Sequence, residues 1–317
     1  MEIVKQILQA IAEHDTIIIH RHQRPDPDAF GSQVGLAETI RNSYPDKHVY
    51  CAGAGTPSLA WLATMDEVPA AAYEGALVIT TDTADTPRID GERYDQGAML
   101  IKIDHHPDND QYGDIRWVLP DASSTSEVLI DIINASEGQL KMNAAATRLF
   151  YAGIVGDTGR FMYNNTSAHT LRLVAQLYDA FDFGPDVVNQ KMNEVTMGQA
   201  KLQAFAMSEL QVTPHGAGYY VIHQADLQRL GVAADQYQVA VGTGGRLAEV
   251  RAWAMFTEQP EGNFRVSLRS KQQEIESIAM NHNGGGHALA SGAKAADESE
   301  IKQIVNELDA LLASAGK

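Results

Sequence analysis

The sequence predicts an α/β chain, with an N-terminal domain built on a parallel sheet and a smaller C-terminal α+β domain with a mixed sheet. Short apolar runs alternate with helical or crossover-length stretches through the first half, which is the pattern of a parallel sheet covered on both faces. Several of those runs end in His or Asp. After the middle of the chain the texture changes to strands joined by tight turns.

Ile3, Ile7 and Ile11, with Val4 and Leu8, fall on one face of an opening helix. This segment carries Glu2 and lacks the unbroken apolar core of a signal peptide. TIIIHRH (16–22) reads as a buried strand. RPDPDAFGS reads as a loop, because closely spaced prolines forbid a regular ladder. SQVGLAETIRNS is helical, and HVYCAG (48–53), ALVITTDT (76–83) and AMLIKIDHH (98–106) are further strands. Two helices are expected over 123–156, and another over 166–180 starting at the capping residues Thr166 and Ser167. A polar helix over 186–210 reads as the connector between domains at 1–185 and 211–317. Beyond it, GYYVIH, QVAVGT, VRAWAMF and FRVSLRS read as strands, and 297–314 as an amphipathic helix.

The formal net charge of −17 argues against binding long duplex nucleic acid, whose affinity is carried by Lys and Arg. A short anionic ligand in a locally positive pocket stays compatible with it. The single cysteine, Cys51, excludes an intramolecular disulfide and fits a reducing compartment, so a cytoplasmic protein is expected. No apolar run approaches the ~20 residues of a membrane span.

Four segments carry metal-type chemistry. His22-Gln-Arg-Pro-Asp26-Pro-Asp28 sets an imidazole and two carboxylates on a constrained segment, a donor set that suits Mn²⁺ or Mg²⁺. Alone it reads equally as a proline-rich turn with capping aspartates. Asp82 ends one strand, and by itself could be only a helix cap. Asp104-His105-His106 ends another, and vicinal side chains of a continuing strand point to opposite sides. Asp157 follows a helix, in Gly-Asp-Thr-Gly. Ligands bind at the carboxyl ends of strands in open α/β sheets, so these segments converge on one sheet edge. That is the composition a two-metal phosphoryl-transfer site needs, with Asp82 the candidate bridge. His20 could share a face with His22 by strand alternation.

The order HRHQRPDPDAFGS, TDT, IDHHP and GIVGDTGRF resembles the DHH phosphoesterase superfamily, and NHNGGGHALASGA resembles the Gly-Gly-Gly-His motif of its associated C-terminal domain. The resemblance spans nearly the whole chain and is strongest to the NrnA-type branch of bifunctional oligoribonucleases and 3′-phosphoadenosine-5′-phosphate (pAp) phosphatases. It implies hydrolysis of di- to pentaribonucleotides to mononucleotides and of pAp to AMP, with two divalent ions, Mn²⁺ foremost and Mg²⁺ or Co²⁺ as substitutes. One ion would be held by His22, Asp26 and Asp82, and the other by Asp28, Asp82, His105 and Asp157. His106 would contact the scissile phosphate, and Asp104 would orient a histidine. The active site would lie in an interdomain cleft, where Arg160, Arg269, Ser270, Gly285, Gly286 and His287 meet the substrate. Arg246 and Lys271 read as weaker contacts or as solvated surface.

Three other functions stay open from sequence. One is a phosphodiesterase for cyclic di-AMP or pApA, and another is a polyphosphate or pyrophosphate hydrolase, whose relatives use a more basic pocket. The third is a nucleotide-binding regulator with a vestigial centre, against which the complete ligand set argues. A homodimer is as compatible with the sequence as a monomer.

Overall fold

The computed structural model describes residues 2–233 and 236–316. It divides into two compact units, Met1–Asn193 and Glu194–Lys317.

The first unit runs α1 (Glu2–Glu13), β1 (Thr16–His20), α2 (Pro27–Ser43), β2 (His48–Cys51), β3 (Leu77–Thr81), β4 (Met99–Asp104), β5 (Ile115–Val118), α3 (Thr125–Asn134), α4 (Ala144–Asp157), α5 (Ala168–Ala180) and α6 (Pro185–Asn193). Its sheet has five strands in the order β2-β1-β3-β4-β5, all parallel. The apolar strand residues are buried on both faces. Ile17, Ile19, Leu77, Ile79, Ile101 and Ile103 pack with the helices, and Ile18 and Val78 pack with Tyr73 beneath.

Two sequence expectations change here. RPDPDAFGS is mostly helix, because α2 starts at Pro27. Proline suits the first helical position, where its missing N–H costs nothing. Asp26 caps that helix, its Oδ1 accepting from the N–H groups of Asp28 and Ala29, both at 3.0 Å. The edge strand β5 was not foreseen: it is only four residues long, half-buried throughout, and Arg116 interrupts its apolar run.

Gly31 lets α2 lie directly on α4. A Cβ at Gly31 would come within 2.5 Å of the Leu149 carbonyl oxygen. The close approach brings Asp28, in the first turn of α2, beside the start of α3.

The second unit runs α7 (Met197–Glu209), β6 (Gln211–Val212), β7 (Ala217–Ile222), α8 (Gln224–Leu230), β8 (Ala252–Glu258), β9 (Phe264–Ser270), α9 (Glu276–Asn281), β10 (Gly285–His287), β11 (Ala290–Ala295) and α10 (Glu298–Ser314). Its six strands are ordered β10-β11-β9-β8-β7-β6, with only β7 and β8 parallel, so the sheet is mixed. The amphipathic α10 buries Ile301, Ile304, Leu308 and Leu312 in the core on one face.

The stretch 186–210 is two helices and not one. Thr196 caps α7 with a capping box to Gln199, which starts a new helix after α6 ends at Asn193. QVAVGT forms a tight turn and no strand. Its carbonyls at Ala240 and Val241 accept from Tyr220 Oη and Trp253 Nε1, at 2.6 Å each, so side chains satisfy the backbone a ladder would have used.

Candidate metal centre

The site is assembled from ends of elements in the first unit. Asp82 follows β3 in a left-handed backbone conformation, φ 52°, which is costly for a residue with a Cβ. Asp104 closes β4, Asp157 closes α4, and His22 follows β1, held by an isolated antiparallel bridge to Ile89.

The Asp82 carboxylate faces two ways. Its Oδ2 lies 3.4 Å from His22 Nε2, and its Oδ1 lies 3.5 Å from His105 Nε2 and 3.6 Å from His106 Nδ1. His22 Nε2 is also 3.8 Å from Asp26 Oδ2, and His105 Nε2 is 3.2 Å from Asp157 Oδ2. Three overlapping groups could therefore hold a cation: His22, Asp26 and Asp82; Asp28, His105 and Asp157; and Asp82, His105 and His106.

The imidazoles are aimed from behind. His22 Nδ1 sits 2.8 Å from the Gln23 carbonyl, and His105 Nδ1 sits 3.3 Å from that of Ala122. Donation from Nδ1 aims each Nε2 at the cluster, where it offers a lone pair once a metal ion displaces its proton, the arrangement usual for metal-binding histidines. Asp104 Oδ1 accepts from the N–H groups of His105 and His106 and lies 2.8 Å from His106 Nδ1.

The charges fit a cation. Burial, reinforced by Asp82 and Asp157, holds the Asp28 carboxyl well above the usual carboxylate range. Burial likewise lifts Asp157 to about 6, against the hydrogen bond from His105. Burial would lower His22, yet the hydrogen bonds and charges of Asp26 and Asp82 outweigh it and push the ring up to about 11. Burial is overcome at His105 too, where Asp157, Asp82 and Asp28 raise the ring well above its ordinary value. Crowded buried carboxylates that draw protons onto neighbouring imidazoles are a donor set whose repulsion a divalent ion relieves.

Thr125 and Ser126, in the first turn of α3, belong to the site and were missed in the sequence. Asp28 accepts from Thr125 N at 2.7 Å, Ser126 N at 3.0 Å and Ser126 Oγ at 2.5 Å. Thr125 Oγ1 donates to Asp82 Oδ1 at 3.1 Å. In sequence they look like ordinary residues after the N-cap Ser124.

His20 is not part of the cluster. Its ring reaches Asp90 O at 2.8 Å and Tyr73 Oη at 3.0 Å. The expected alternation with His22 fails because β1 ends at His20. Arg160, with φ 58°, donates from Nη2 to the Met192 carbonyl at 3.0 Å.

In the second unit, Trp253, Arg269, Ala290 and His287 stand in register across β8, β9, β11 and β10. Directly paired residues project to the same face of a sheet, so Arg269 and His287 share one face with Trp253. The Gly244–Arg246 turn packs on that Trp253 ring, where a Cβ at Gly245 would lie 2.5 Å from Cη2. Lys271 donates from Nζ to the Leu247 carbonyl at 2.7 Å. Ser270 is buried and pairs through its N–H with Leu289 O at 3.0 Å. Of the glycine run, Gly284 and Gly286 are required by the close approach of β11, whereas Gly285 faces open space.

Comparison with known proteins agrees with both units. Residues 16–154 match the DHH family N-terminal domain, and residues 218–314 match the DHHA1 domain. A probable bifunctional oligoribonuclease and PAP phosphatase NrnA from Streptococcus mutans is 46% identical over 98% of this chain and 100% of its own length. The bifunctional oligoribonuclease and PAP phosphatase NrnA of Bacillus subtilis is 42% identical over 96% of this chain and 97% of its own. The crystal structure of an exopolyphosphatase-related protein from Bacteroides fragilis shares the fold, with a TM-score of 0.87 at 23% identity over 98% of this chain and 97% of that one. With the DHH and DHHA1 domains matched in order and two relatives above 40% identity along nearly its whole length, this chain belongs to the DHH family.

Proposed function

We propose that the chain is a metal-dependent phosphoesterase that hydrolyses short oligoribonucleotides to mononucleotides and pAp to AMP. The observation that carries this reading is the Asp82 carboxylate, with one oxygen toward His22 and the other toward His105 and His106. The near full-length similarity to proteins named for both activities supports the choice of substrate.

In this reading His22, Asp26 and Asp82 hold one ion, and Asp28, Asp82, His105 and Asp157 hold the other. Mixed carboxylate and imidazole donors favour Mn²⁺, with Mg²⁺ or Co²⁺ able to substitute. When bound, such ions neutralise the phosphate and acidify water. His106, oriented by Asp104, donates to the scissile phosphate. Arg160, Arg269, Ser270, Gly285, Gly286 and His287 are the proposed substrate contacts, with Arg269 and His287 the phosphate-binding pair.

The net charge of −17 favours short substrates over long duplexes. No helix among the described residues is long and apolar enough to cross a membrane. A cytoplasmic setting is part of the proposal, supported by the single buried thiol, Cys51.

The test is a side-by-side assay, with Mn²⁺, of pAp, di- to pentaribonucleotides, pApA and cyclic di-AMP. Release of AMP from pAp and of mononucleotides from the short RNAs is expected. Turnover of neither sinks the assignment, and turnover confined to pApA or cyclic di-AMP replaces it.

A further inference from the structure

Lys102 is an anomaly in an apolar strand. It lies in β4 between the fully buried Ile101 and Ile103, and is itself 0% exposed. Burying an ammonium strips it of water, a loss that only close hydrogen-bond and charge partners offset. Such partners surround it: Nζ donates to Ala84 O at 3.0 Å, to Asp108 Oδ1 at 3.0 Å and to Asp110 O at 2.9 Å. It also sits 4.7 Å from the centre of the Tyr112 ring.

These partners lie on the two segments that carry the centre. Ala84 is two residues beyond Asp82, and Asp108 is two beyond His106. The same segments are joined twice more. Tyr112 Oη donates to Thr83 O at 2.8 Å, and Asp110 Oδ2 accepts from Thr86 N at 2.8 Å and Thr86 Oγ1 at 2.9 Å. Lys102 Nζ is also 3.9 Å from Asp104 Oδ2, a buried oxygen that has no hydrogen-bond partner among the described residues. The other oxygen of that carboxylate holds His106.

Asp82 needs such support. Its left-handed φ of 52° persists only if its surroundings over-determine it. The backbone just after it is held at Thr83 O by Tyr112 and at Ala84 O by Lys102.

We propose that Lys102, with Tyr112, is a positioning residue of the metal centre, tying the Asp82 segment to the His105–His106 segment and holding Asp82 in the backbone conformation that lets its carboxylate face both groups of ligands. The inference rests on the metal-centre reading. Asp82 belongs to both proposed ion sites, so loosening the tie weakens both together.

The experiment is thermal unfolding of the full chain, first in chelator and then across an Mn²⁺ titration, for wild type, Lys102→Met and Tyr112→Phe. A ligand that binds only the folded state raises the unfolding midpoint by an amount that grows with the logarithm of its concentration relative to its dissociation constant. Wild type gains stability with Mn²⁺, and the concentration needed for a given gain rises about tenfold or more in Lys102→Met, the range seen when outer supports of metal ligands are removed. Tyr112→Phe, which loses one hydroxyl, shifts it in the same direction by a smaller factor. A merely structural role lowers the chelated midpoint and leaves the Mn²⁺ dependence at the wild-type value. That result in both variants overturns the proposal, and if Lys102→Met does not fold, Tyr112→Phe decides alone. Absence of any Mn²⁺ response in wild type removes the metal reading itself, and the proposal with it.

Discussion

Ser126 donates its hydroxyl to Asp28 Oδ1 across 2.5 Å, joining the first turn of α3 to the first turn of α2. Asp28 has no exposed surface, and its other oxygen is taken by Thr125 N. A carboxylate that accepts several N–H and O–H donors is fixed in orientation before any ion arrives. Ser126→Ala removes one donor and keeps the fold. We expect Mn²⁺ affinity to fall by about tenfold with a loss of metal-free stability of only about 1 kcal/mol, read by metal titration and urea unfolding. Unchanged affinity would mean that Asp28 needs no such support.

Gly153 makes a sharper prediction on the same contact. A Cβ there would lie 2.1 Å from Ser126 Oγ and 2.5 Å from Asp28 Oδ1. Gly to Ala inside a helix ordinarily stabilises by about 1 kcal/mol. At this position overpacking reverses the sign, and Gly153→Ala should destabilise by about 1–3 kcal/mol and lower activity, measured by denaturant unfolding and turnover.

The protonation of the metal-free centre gives a pH prediction. Asp157 is lifted from 3.8 to about 6 and His22 from 6.5 to about 11, with Asp28 and His105 raised as well. A raised folded-state value means that the folded chain binds more protons than the unfolded one. The stability such groups contribute is present below their unfolded values and is lost as pH rises through their folded values. The chelated protein should therefore lose stability as pH rises from about 5 to about 9, while the gain from Mn²⁺ grows, because the ion displaces those protons. Calorimetry in buffers of different ionisation heat should register proton release on Mn²⁺ binding. A chelated midpoint that climbs over this range would contradict the charge pattern.

Much of the site was legible in the sequence because strand ends carry it. Asp82, Asp104 and His105 stand at the ends of apolar strands, where a parallel sheet presents ligands, Asp157 closes the apolar helix α4, and the three potential ion-binding groups contain the six proposed ligands. What sequence hides is direction and support. Strand alternation would let His20 share a face with His22 as a supporting residue, but β1 ends at His20. Thr125 and Ser126 look like routine helix-start residues, and Lys102 looks like a polar interruption of a strand. Thr125 and Ser126 act through a partner distant in the chain, Asp28, which lies 97 residues from Thr125, and Lys102 acts through backbone carbonyls that carry no side-chain signal. QVAVGT has strand composition, yet its carbonyls are claimed by Tyr220 and Trp253.

Substrate binding and metal binding separate if Arg269 and His287 are the phosphate-binding pair proposed above. They share one sheet face in the second unit with Trp253. Alanine at either should raise KM for pAp by about tenfold, the effect of losing a charged hydrogen bond, while Mn²⁺ content stays at the wild-type level. Loss of metal in these variants would contradict the division of labour.

The bridging role of Asp82 is the central claim. Its most direct test is the Mn²⁺ stoichiometry of chelated and reloaded protein, wild type beside Asp82→Ala and Asp26→Ala. Wild type should hold about two ions per chain, Asp26→Ala about one and Asp82→Ala essentially none, each variant folded by circular dichroism. An Asp82→Ala chain that still holds both ions would contradict it.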